Sequence, residues 1–323
     1  MTTILVTCGA GYVGAHACAR LAAAGLKPVV FDSLVNGHAD FVQWGPLVAG
    51  DIRDRAALAA AFAAHRPVGV MHFAGLIEVG ISVRDPGPFY DVNVGGALAV
   101  IEAARAAGVD AFVFSSTCAT YGAPQTALLA EDHPQAPLNP YGRSKLMVER
   151  ALADLEAASG FRSIALRYFN AAGADPDGRI GERHDPETHA IPLAIRSAMR
   201  PGQGFTIFGD DYPTADGTAV RDYVHVADLA EAHLLALERL LEGGGGGAYN
   251  LGGGVGTSVL ELIDAVGARA GHPLQPACGA RREGDAAVLV ADARKAAREL
   301  GWRPKLGLPE IIETAWRWHE REG

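Results

Sequence analysis

The sequence has few cysteines and a shortage of positive charge. Its 323 residues include 28 Lys and Arg against 37 Asp and Glu, a formal net charge of −9, and no basic run interrupts this excess. This argues against a nucleic-acid-binding protein, because such proteins carry a basic footprint. The four cysteines form no C-x-x-C pair. Their arrangement argues against a disulfide framework and suits a reducing cytoplasm.

Long apolar segments are also missing. No apolar run reaches the length of a membrane span, and strand-like residues begin at Ile4 without a charged leader segment before them. Hydrophobic residues make up 49% of the chain and charged residues 20%, as in a globular protein with a large core. We expect a cytoplasmic α/β protein without membrane or nucleic-acid partners, in which local positive groups meet any anionic ligand.

A glycine-rich turn follows the first predicted strand. The turn, CGAGYVG at 8–14, leads into an Ala-rich segment of helical character, and a second strand ends at Asp32. This pattern is typical of dinucleotide-binding βαβ units, in which glycines let the backbone approach a pyrophosphate at the helix N-terminus. Asp32 lies where a carboxylate binds a ribose diol and repels a 2′-phosphate, which favours NAD over NADP. A turn without a ligand is the alternative.

Strands and helices then alternate along the chain. Further strands are predicted near 46–49, 68–73, 112–114 and 163–168, with helices over 56–65, 88–107 and 141–159. This order predicts an α/β fold with a Rossmann-like, doubly wound parallel sheet, whose ligands bind beyond the carboxyl ends of the strands. The alternation weakens after Asn170. We expect an NAD-binding domain over 1–170, with parts of 223–250 packing back on it, and a smaller α/β C-terminal substrate lobe over 171–323.

Tyr141 and Lys145 are spaced to lie on one face of a predicted helix. A phenol is a poor base at neutral pH because its ordinary pKa is about 10, and a cation one turn away lowers that pKa by favouring the phenolate. The pair therefore predicts proton transfer with a hydroxyl or a carbonyl. A solvated helix face is the alternative, but a strand ending at Thr117 and the glycine-rich turn favour a site.

Two histidines, His184 and His189, could suggest a metal site. They lie five residues apart with Pro186 between them, which is not the i,i+4 spacing of a helical metal pair. We therefore expect no metal, and His189 is instead a candidate for contact with a diphosphate.

Taken together, the motifs resemble the extended short-chain dehydrogenase/reductases, and within them the 4-epimerases that act on UDP-hexoses. The similarity runs from Ile4 to about His319. Motifs shared across the superfamily lie at 9–14, 50–53, 72–75, 115–122, 141–145 and 167–170. More specific motifs lie at 208–214, 220–226 and 281–285. The resemblance implies NAD-dependent epimerisation at C4, interconverting UDP-glucose and UDP-galactose through a transient 4-keto sugar, in a homodimer with tightly held NAD.

The resemblance also implies a role for individual residues. The catalytic residues would be Thr117, which hydrogen-bonds the sugar 4-oxygen, Tyr141, which takes the 4-hydroxyl proton, and Lys145. The cofactor would be bound by Gly11, Tyr12, Val13, Gly14, Asp32, Asn36, Asp51, Ile52, Phe73, Ala74, Asn93, Tyr141, Lys145 and Tyr168. The UDP-sugar would be bound by Thr117, Asn170, His189, Phe208, Arg221, Arg282 and Asp285. For Arg221 and Arg282 the alternative is a surface ion pair with the adjacent carboxylate, Asp222 or Glu283.

Three positions depart from the family's pattern. Cys8 stands where the turn usually begins with glycine, so a positive φ there would strain the loop. Ile77 replaces a lysine found near the phosphates in some members. Leu289 replaces a tyrosine of enzymes restricted to glucose and galactose, so a UDP-N-acetylglucosamine substrate is an alternative, as is a UDP-pentose or UDP-uronate.

Other chemistries on the same fold also remain open. A nucleotide-sugar dehydratase usually places an Asp-Glu pair directly after the Thr, whereas Cys118 and Ala119 stand here. A decarboxylase or an ordinary sugar dehydrogenase is a further alternative. A cofactor-sensing regulator often lacks the catalytic tyrosine, so the presence of Tyr141 favours an enzyme.

Overall fold

The fold is described from a computed structural model that covers residues 2–200, 202–282 and 285–322. The strands are β1 (Thr3–Thr7), β2 (Lys27–Asp32), β3 (Leu47–Ala49), β4 (Gly69–His72), β5 (Ala111–Thr117), β6 (Arg162–Tyr168), β7 (Asn170–Ala172), β8 (Thr206–Phe208), β9 (Val220–His225), β10 (Gly247–Leu251), β11 (Gly256–Ser258), β12 (Ala277–Gly279) and β13 (Val288–Leu289).

Eleven α-helical segments connect these strands within the described residues. They are α1 (Tyr12–Ala23), α2 (Arg55–His65), α3 (Val79–Arg84), α4 (Gly87–Phe89), α5 (Ala97–Ala106), α6 (Pro140–Ser159), α7 (Ala190–Met199), α8 (Val226–Leu241), α9 (Val259–Ala270), α10 (Arg294–Glu299) and α11 (Leu308–Glu322). None of the helices in the described ranges combines the length and the apolar character needed to cross a bilayer.

A seven-stranded sheet with the order β10-β6-β5-β4-β1-β2-β3 forms the centre of the molecule. All of its neighbouring strands pair in parallel. Its strands are apolar on both faces, since β1, β4 and β5 are almost wholly buried, as expected where helices cover both sides. The predicted doubly wound parallel sheet is confirmed.

The C-terminal half contributes to this sheet as well as to a second lobe. β10 pairs with β6 at the sheet edge, and α8 packs against α1 over a shared apolar cluster that includes Leu21, Leu229 and Leu237. In the second lobe, β9 pairs with β7, β11 and β13. A separate apolar core there joins α7, α9 and α11.

The helix predicted over 88–107 forms without a gap over 87–106, but it is not α-helical throughout. A π-helical stretch, Tyr90–Gly96, separates α4 from α5. Two adjacent glycines weaken the α-helix here. A Cβ on Gly96 would lie 2.4 Å from Cδ1 of Ile52, so the backbone approaches the neighbouring loop more closely than any side chain permits. The wider turn places Asn93 in the interior, where it is 2% exposed.

Candidate active site

The glycine-rich turn lies at the carboxyl end of β1. α1 begins after Gly11, and among the described residues no side chain caps it. The N–H groups of its first turn, at 12–14, are therefore available to an anion. A Cβ on Gly14 would lie 2.1 Å from the carbonyl oxygen of Cys8, so only glycine allows the turn to be this tight. The turn has the form predicted for a pyrophosphate site.

Cys8 adopts the conformation that the sequence indicated would be strained. Its φ is +56°, in the left-handed region that disfavours residues with a Cβ. Burial raises the pKa of the Cys8 thiol to about 12, so the side chain stays a neutral thiol. The strain is local, since the backbone N–H of Cys8 still donates to the carbonyl of Phe31 at 2.9 Å.

Asp32 ends β2 beside the same turn and is 5% exposed. Its carboxylate accepts from the backbone N–H of Ala10 at 3.0 Å and from that of Leu34 at 2.8 Å. These bonds fix the carboxylate at the turn while leaving lone pairs for a ribose diol. Asn36 lies close by on an exposed loop.

Asp51 and Ile52 follow β3 at the next position along the sheet edge. The carboxylate of Asp51 binds Arg53, with 2.6 Å between Asp51 Oδ2 and an Arg53 guanidinium nitrogen, and hydrogen bonding from Arg53 lowers the pKa of Asp51. Ile52 is 6% exposed and packs under Gly96. Both residues lie at the carboxyl edge of the sheet, and their contact with the adenine stays a prediction.

Phe73 and Ala74 follow β4 and continue the same edge. The backbone N–H of Ala74 donates to the hydroxyl of Thr7 at 3.3 Å, and that hydroxyl also contacts Nδ1 of His72 at 2.8 Å. Phe73 is 8% exposed, and its ring lies against that of His233 with centroids 4.6 Å apart.

Asn93 supports the loop after β4. Its Oδ1 accepts from the backbone N–H of Leu76 at 2.7 Å. Its Nδ2 donates to the carbonyl of Leu76 and to the hydroxyl of Ser144, each at 3.0 Å. Both amide protons are thus engaged within the protein. Asn93 therefore ties the loop to α6, and a cofactor could use only the remaining lone pair of Oδ1.

Tyr141 is placed by the N-terminus of α6. Asn139 caps this helix by accepting from the backbone N–H of Gly142 at 2.8 Å, and Pro140 occupies its first turn. The backbone N–H of Tyr141 donates to the hydroxyl of Ser82 at 3.3 Å, which fixes the helix against α3. The predicted helix start is confirmed, and it directs Tyr141 toward Thr117 and Tyr168, the groups that act on its phenol.

The prediction that Lys145 lowers the pKa of Tyr141 is wrong for the protein's own groups. Burial raises the pKa of Tyr141 above its usual value, Tyr168 adds to this, and the Thr117 side chain acts in the opposite direction. The reason is that the charged form of a buried phenol loses its hydration. A phenolate at this position therefore needs additional positive charge beyond that of the protein.

Lys145 is 3% exposed, one helical turn after Tyr141. Its Nζ donates to the carbonyl of Ser115 at 3.1 Å and lies 5.1 Å from the centre of the Phe114 ring. Burial lowers the pKa of Lys145 to about 8, since a desolvated ammonium is disfavoured. A lysine with this pKa exchanges a proton near neutral pH, as residues of active sites often do.

Thr117 and Tyr168 complete the reaction centre. Thr117 ends β5, is 7% exposed, and accepts from the backbone N–H of Ala119 at 3.1 Å through its hydroxyl. Tyr168 ends the neighbouring β6 and lies opposite Thr117 in the register of the two strands. Burial raises the pKa of Tyr168 to about 12, so its hydroxyl remains protonated.

Arg221 extends from β9 in the second lobe, with its side chain 13% exposed. Its guanidinium donates to the carbonyl of Ala286 at 2.8 Å and lies 3.6 Å from a carboxylate oxygen of Asp285. The alternative pairing with Asp222 does not occur, because the Asp222 carboxylate accepts from three backbone N–H groups, those of Gly253, Gly254 and Ala291.

The other predicted substrate residues lie on the same lobe. Arg282 stacks over the half-exposed ring of Phe208, with its guanidinium carbon 4.1 Å from the ring centre. Its alternative partner, Glu283, lies outside the described residues. Asn170 begins β7 and lies opposite Tyr223 of β9, so it joins the carboxyl edge of the large sheet to the second lobe.

His189 immediately precedes α7 and contacts two carboxylates. Its Nδ1 lies 2.9 Å from Oε1 of Glu182 and 3.0 Å from Oε1 of Glu187. Although burial opposes it, these carboxylates raise the pKa of His189 to about 10. With 39% of its side chain exposed, the ring keeps its other edge toward solvent.

A buried polar network beneath the reaction centre was not predicted from the sequence. Arg167 binds Glu149 with two nitrogens, including one 2.6 Å from Oε2, and donates to the hydroxyl of Tyr121 at 2.9 Å. The Tyr121 hydroxyl donates to Asn250 at 2.6 Å, and Ser116 hydrogen-bonds Glu149. The signal in the sequence is Arg167, which directly follows the apolar residues 164–166 of β6, since an arginine buried at such a position demands a partner.

Comparison with known proteins supports the chemistry of this edge. The sequence profile of the NAD dependent epimerase/dehydratase family matches residues 4–252. The chain is 57% identical over 318 residues to the UDP-glucose 4-epimerase of Rhizobium meliloti (strain 1021), an alignment that covers 98% of this chain and 97% of that relative.

Solved structures give the same result. The crystal structure of UDP-glucose 4-epimerase from Brucella ovis in complex with NAD matches with a TM-score of 0.95, at 47% identity and covering 98% of each chain. The structure of a UDP-glucose-4-epimerase from Stenotrophomonas maltophila, with bound NAD and formylated UDP-arabinopyranose, matches with a TM-score of 0.96 at 41% identity, covering 100% of this chain and 99% of that one.

Proposed function

We propose, because the chain belongs to the NAD dependent epimerase/dehydratase family, that it epimerises a UDP-hexose at C4 and interconverts UDP-glucose and UDP-galactose through a transient 4-keto sugar. The observation that carries this proposal is the identity of 57% to a UDP-glucose 4-epimerase over 98% of the chain. Thr117, Tyr141 and Lys145 stand on elements that meet at one sheet edge, which is the arrangement that the reaction needs.

The cofactor is NAD, and the residues at the first turn fit it. The uncapped start of α1 and the close approach at Gly14 suit a pyrophosphate. The Asp32 carboxylate suits the ribose diol of NAD and disfavours NADP. When bound, NAD accepts a hydride from C4 of the sugar, returns it, and adds positive charge near Tyr141.

Proton transfer falls to Tyr141. In the proposed mechanism its phenolate takes the 4-hydroxyl proton, while Thr117 hydrogen-bonds the sugar 4-oxygen and holds it in reach. Lys145 would contact the nicotinamide side of the cofactor, and the positive charge that favours the phenolate would come from the oxidised nicotinamide ring. The proton then returns from Tyr141 to the 4-oxygen after the keto sugar has presented its other face.

The second lobe, residues 171–323, binds the UDP-sugar together with Asn170. Arginine forks suit diphosphate oxygens, which supports roles for Arg221 and Arg282. Phe208, Asp285 and the outer edge of His189 complete the proposed UDP site. Strong contacts to UDP and loose contacts to the hexose let the 4-keto sugar turn over while the nucleotide stays bound.

A dehydratase is disfavoured by the residues after Thr117. Elimination of water needs an acid and a base at this point. Burial raises the pKa of Cys118 to about 12, and Ala119 has no ionisable group, so neither can do this work.

The enzyme is proposed to act as a cytoplasmic homodimer. All four cysteines are free thiols, which suits a reducing compartment. For the dimer, the surface of α5 and α6 is proposed by analogy with the family. Met147 on α6 supports it, since 51% of this apolar side chain is exposed.

The decisive experiment is Tyr141→Phe in the full chain. We expect the interconversion of UDP-galactose and UDP-glucose to slow by a factor of about 100 to 10,000, the usual contribution of a positioned acid–base group. The dissociation constant for UDP, measured by calorimetry, should change less than about twofold, because no UDP contact is removed.

Tyr249→Phe serves as the matched control, since this tyrosine is buried on β10 and donates to Glu299 at 3.2 Å. The Tyr249→Phe variant should interconvert UDP-galactose and UDP-glucose at the rate of the unaltered enzyme. An unchanged rate in Tyr141→Phe would refute the assignment of the base.

The sugar specificity is proposed to extend to UDP-N-acetylglucosamine. Leu289 packs, half-buried, on the apolar cluster that contains Cys118, next to Thr117, and a leucine leaves more room beside the sugar 2-position than a tyrosine. Leu289→Tyr should lower turnover of UDP-N-acetylglucosamine relative to UDP-galactose in steady-state assays. Absence of any turnover of the acetylated sugar by the unaltered enzyme, beside good activity on UDP-galactose, would remove this extension.

A further inference from the structure

The loop before α7 gathers two histidines and two carboxylates. Nδ1 of His189 lies 2.9 Å from Oε1 of Glu182 and 3.0 Å from Oε1 of Glu187. Nδ1 of His184 lies 3.4 Å from Oε1 of Glu182 and 3.8 Å from Oε2 of Glu187. One nitrogen or oxygen from each of the four residues falls within 4.8 Å of the others. We call these four residues the Glu-His cluster.

These separations are close to the edges of a metal tetrahedron. Zn²⁺ binds imidazole nitrogen and carboxylate oxygen at about 2.0–2.2 Å, which places ligand atoms about 3.3–3.6 Å apart. The four nitrogen–oxygen distances of the Glu-His cluster lie between 2.9 and 3.8 Å, and Glu187 contributes Oε2 to the longest of them and Oε1 to another. Rotation of the Glu187 carboxylate, with shifts of the other three side chains, would present one atom of each residue to a single ion.

The Glu-His cluster also has hydrogen-bonding capacity that the described residues do not use. Nδ1 of His184 and Oε2 of Glu187 are buried and have no hydrogen-bond partner in the parts of the chain that the structure covers. The Glu187 side chain is only 1% exposed. A guanidinium nitrogen of Arg196 stays 3.9 Å from Oε2 of Glu187, too far for a hydrogen bond. Unsatisfied buried polar atoms of this kind call for a ligand.

We propose that Glu182, His184, Glu187 and His189 form a binding site for one divalent transition-metal ion, with Zn²⁺ as the best fit to two imidazole and two carboxylate ligands. The expectation of no metal considered only the spacing of the two histidines along a helix. The structure places them in a loop instead, where Glu182 and Glu187 join them. The site does not depend on the proposed epimerase activity.

The position of the Glu-His cluster indicates what the ion would stabilise. The carbonyl of Glu182 accepts from Nε1 of Trp318 on α11 at 3.0 Å. The His184 ring meets that of Tyr12, at the start of α1, edge-on at 6.4 Å. An ion held here would brace the start of α7 against α11 and the glycine-rich turn, and would raise the melting temperature of the protein.

The test uses the full chain after treatment with a chelator and removal of the chelator. Titration with Co²⁺ should produce the intense visible absorption of a tetrahedral site and saturate at one equivalent, and Zn²⁺ should abolish that absorption by displacement. Calorimetry with Zn²⁺ should give a dissociation constant of about 1 μM or tighter. Thermal denaturation followed by circular dichroism should show a higher melting temperature with Zn²⁺ than without it.

Substitutions inside and outside the Glu-His cluster test whether the ion binds there. Glu187→Gln and His184→Gln should each weaken Zn²⁺ binding by at least about tenfold, with the far-UV spectrum unchanged. His272→Gln is the control, because His272 is an exposed histidine outside the Glu-His cluster, and it should bind Zn²⁺ as the unaltered chain does.

Three results would overturn the proposal. These are no saturable Co²⁺ or Zn²⁺ binding by the unaltered chain, equal affinity in Glu187→Gln, and loss of binding in His272→Gln, which would place the ion on the surface. If a variant fails to fold, the Co²⁺ spectrum and its displacement by Zn²⁺ in the unaltered chain decide the question alone.

Discussion

Cys8 shows how one residue can bear strain in an otherwise regular turn. With φ at +56°, it occupies a conformation that costs a residue with a Cβ about 1–2 kcal/mol. Glycine adopts this conformation freely. The strain is therefore removed by deleting the Cβ and not by shortening the side chain to a methyl group.

From this we predict that Cys8→Gly is more stable than Cys8→Ala by about 1 kcal/mol, measured by urea denaturation. The control is the same Ala/Gly comparison at Ala60, an exposed position in the middle of α2. There Ala60→Gly should destabilise by about 1 kcal/mol, because glycine is unfavourable inside a helix. Equal stability of Cys8→Gly and Cys8→Ala would show that the left-handed conformation carries no strain.

The lowered pKa of Lys145 leads to a prediction of how activity depends on pH. Its pKa, lowered by burial to about 8, means that the ammonium is lost as the pH rises through about 8. We therefore expect kcat/KM to fall on that alkaline side. Neighbouring groups titrate elsewhere, since burial raises the pKa of Cys8 to about 12 and lowers that of His72 to about 3.

The matched variant is Lys145→Arg, which keeps a positive charge at all accessible pH values. It should be slower, because a guanidinium cannot reproduce the contact of Nζ with Ser115, but its pH–rate profile should lose the fall near pH 8. A profile with the same fall would assign that titration to another group.

At the level of single residues, sequence reasoning predicted the positions of side chains better than their pKa values. Spacing alone put Tyr141 and Lys145 on one helix face, and the position of Asp32 at a strand end followed from the βαβ pattern. The pKa of Tyr141 did not follow, because it depends on how deeply the phenol is buried and on Tyr168, which is distant in sequence. The partner of Arg221 is likewise set by the path of the chain through Asp285.

Among the elements, β5, β6 and α6 are joined by a charge pair inside the core. Glu149 on α6 and Arg167 on β6 each have only 7% of the side chain exposed. We predict that Glu149→Gln lowers the free energy of unfolding by about 3–5 kcal/mol, because it leaves the Arg167 charge buried without a counter-charge. Urea denaturation measures this change.

The control is Glu102→Gln, which removes the partner of Arg55 on the surface, where the two side chains are 54% and 66% exposed. A pair so exposed to water should contribute less than about 1 kcal/mol. A similar decrease in the free energy of unfolding in both variants would mean that the buried pair stabilises the protein no more than the exposed pair does.

Whole elements were predicted where local rules govern them. α6, predicted over 141–159, begins after the cap that Asn139 makes and spans Pro140–Ser159, so its predicted limits are confirmed. The π-helical stretch at 90–96 could not be predicted, because it depends on the close approach of Gly96 to Ile52, a contact between segments 44 residues apart in sequence. Helix limits follow from caps, whereas local changes of helix type follow from packing.

For the whole molecule, the proposed dimer gives a direct prediction. If α5 and α6 form the interface, Met147→Glu should place a charge in it and convert the dimer to a monomer, as measured by analytical ultracentrifugation. Val255→Glu is the control, since Val255 is 71% exposed on the loop before β11 and should leave the mass unchanged. A Met147→Glu protein that sediments like the unaltered chain would place the interface elsewhere.

The pairing of β10 with β6 has a consequence for biosynthesis. The central sheet gains its last strand from residues 247–251, and the helix that covers α1 comes from residues 226–241. A nascent chain that has emerged only as far as β6 therefore leaves an open sheet edge and an uncovered apolar helix face. Such a chain stays vulnerable to aggregation until about three quarters of the protein has left the ribosome.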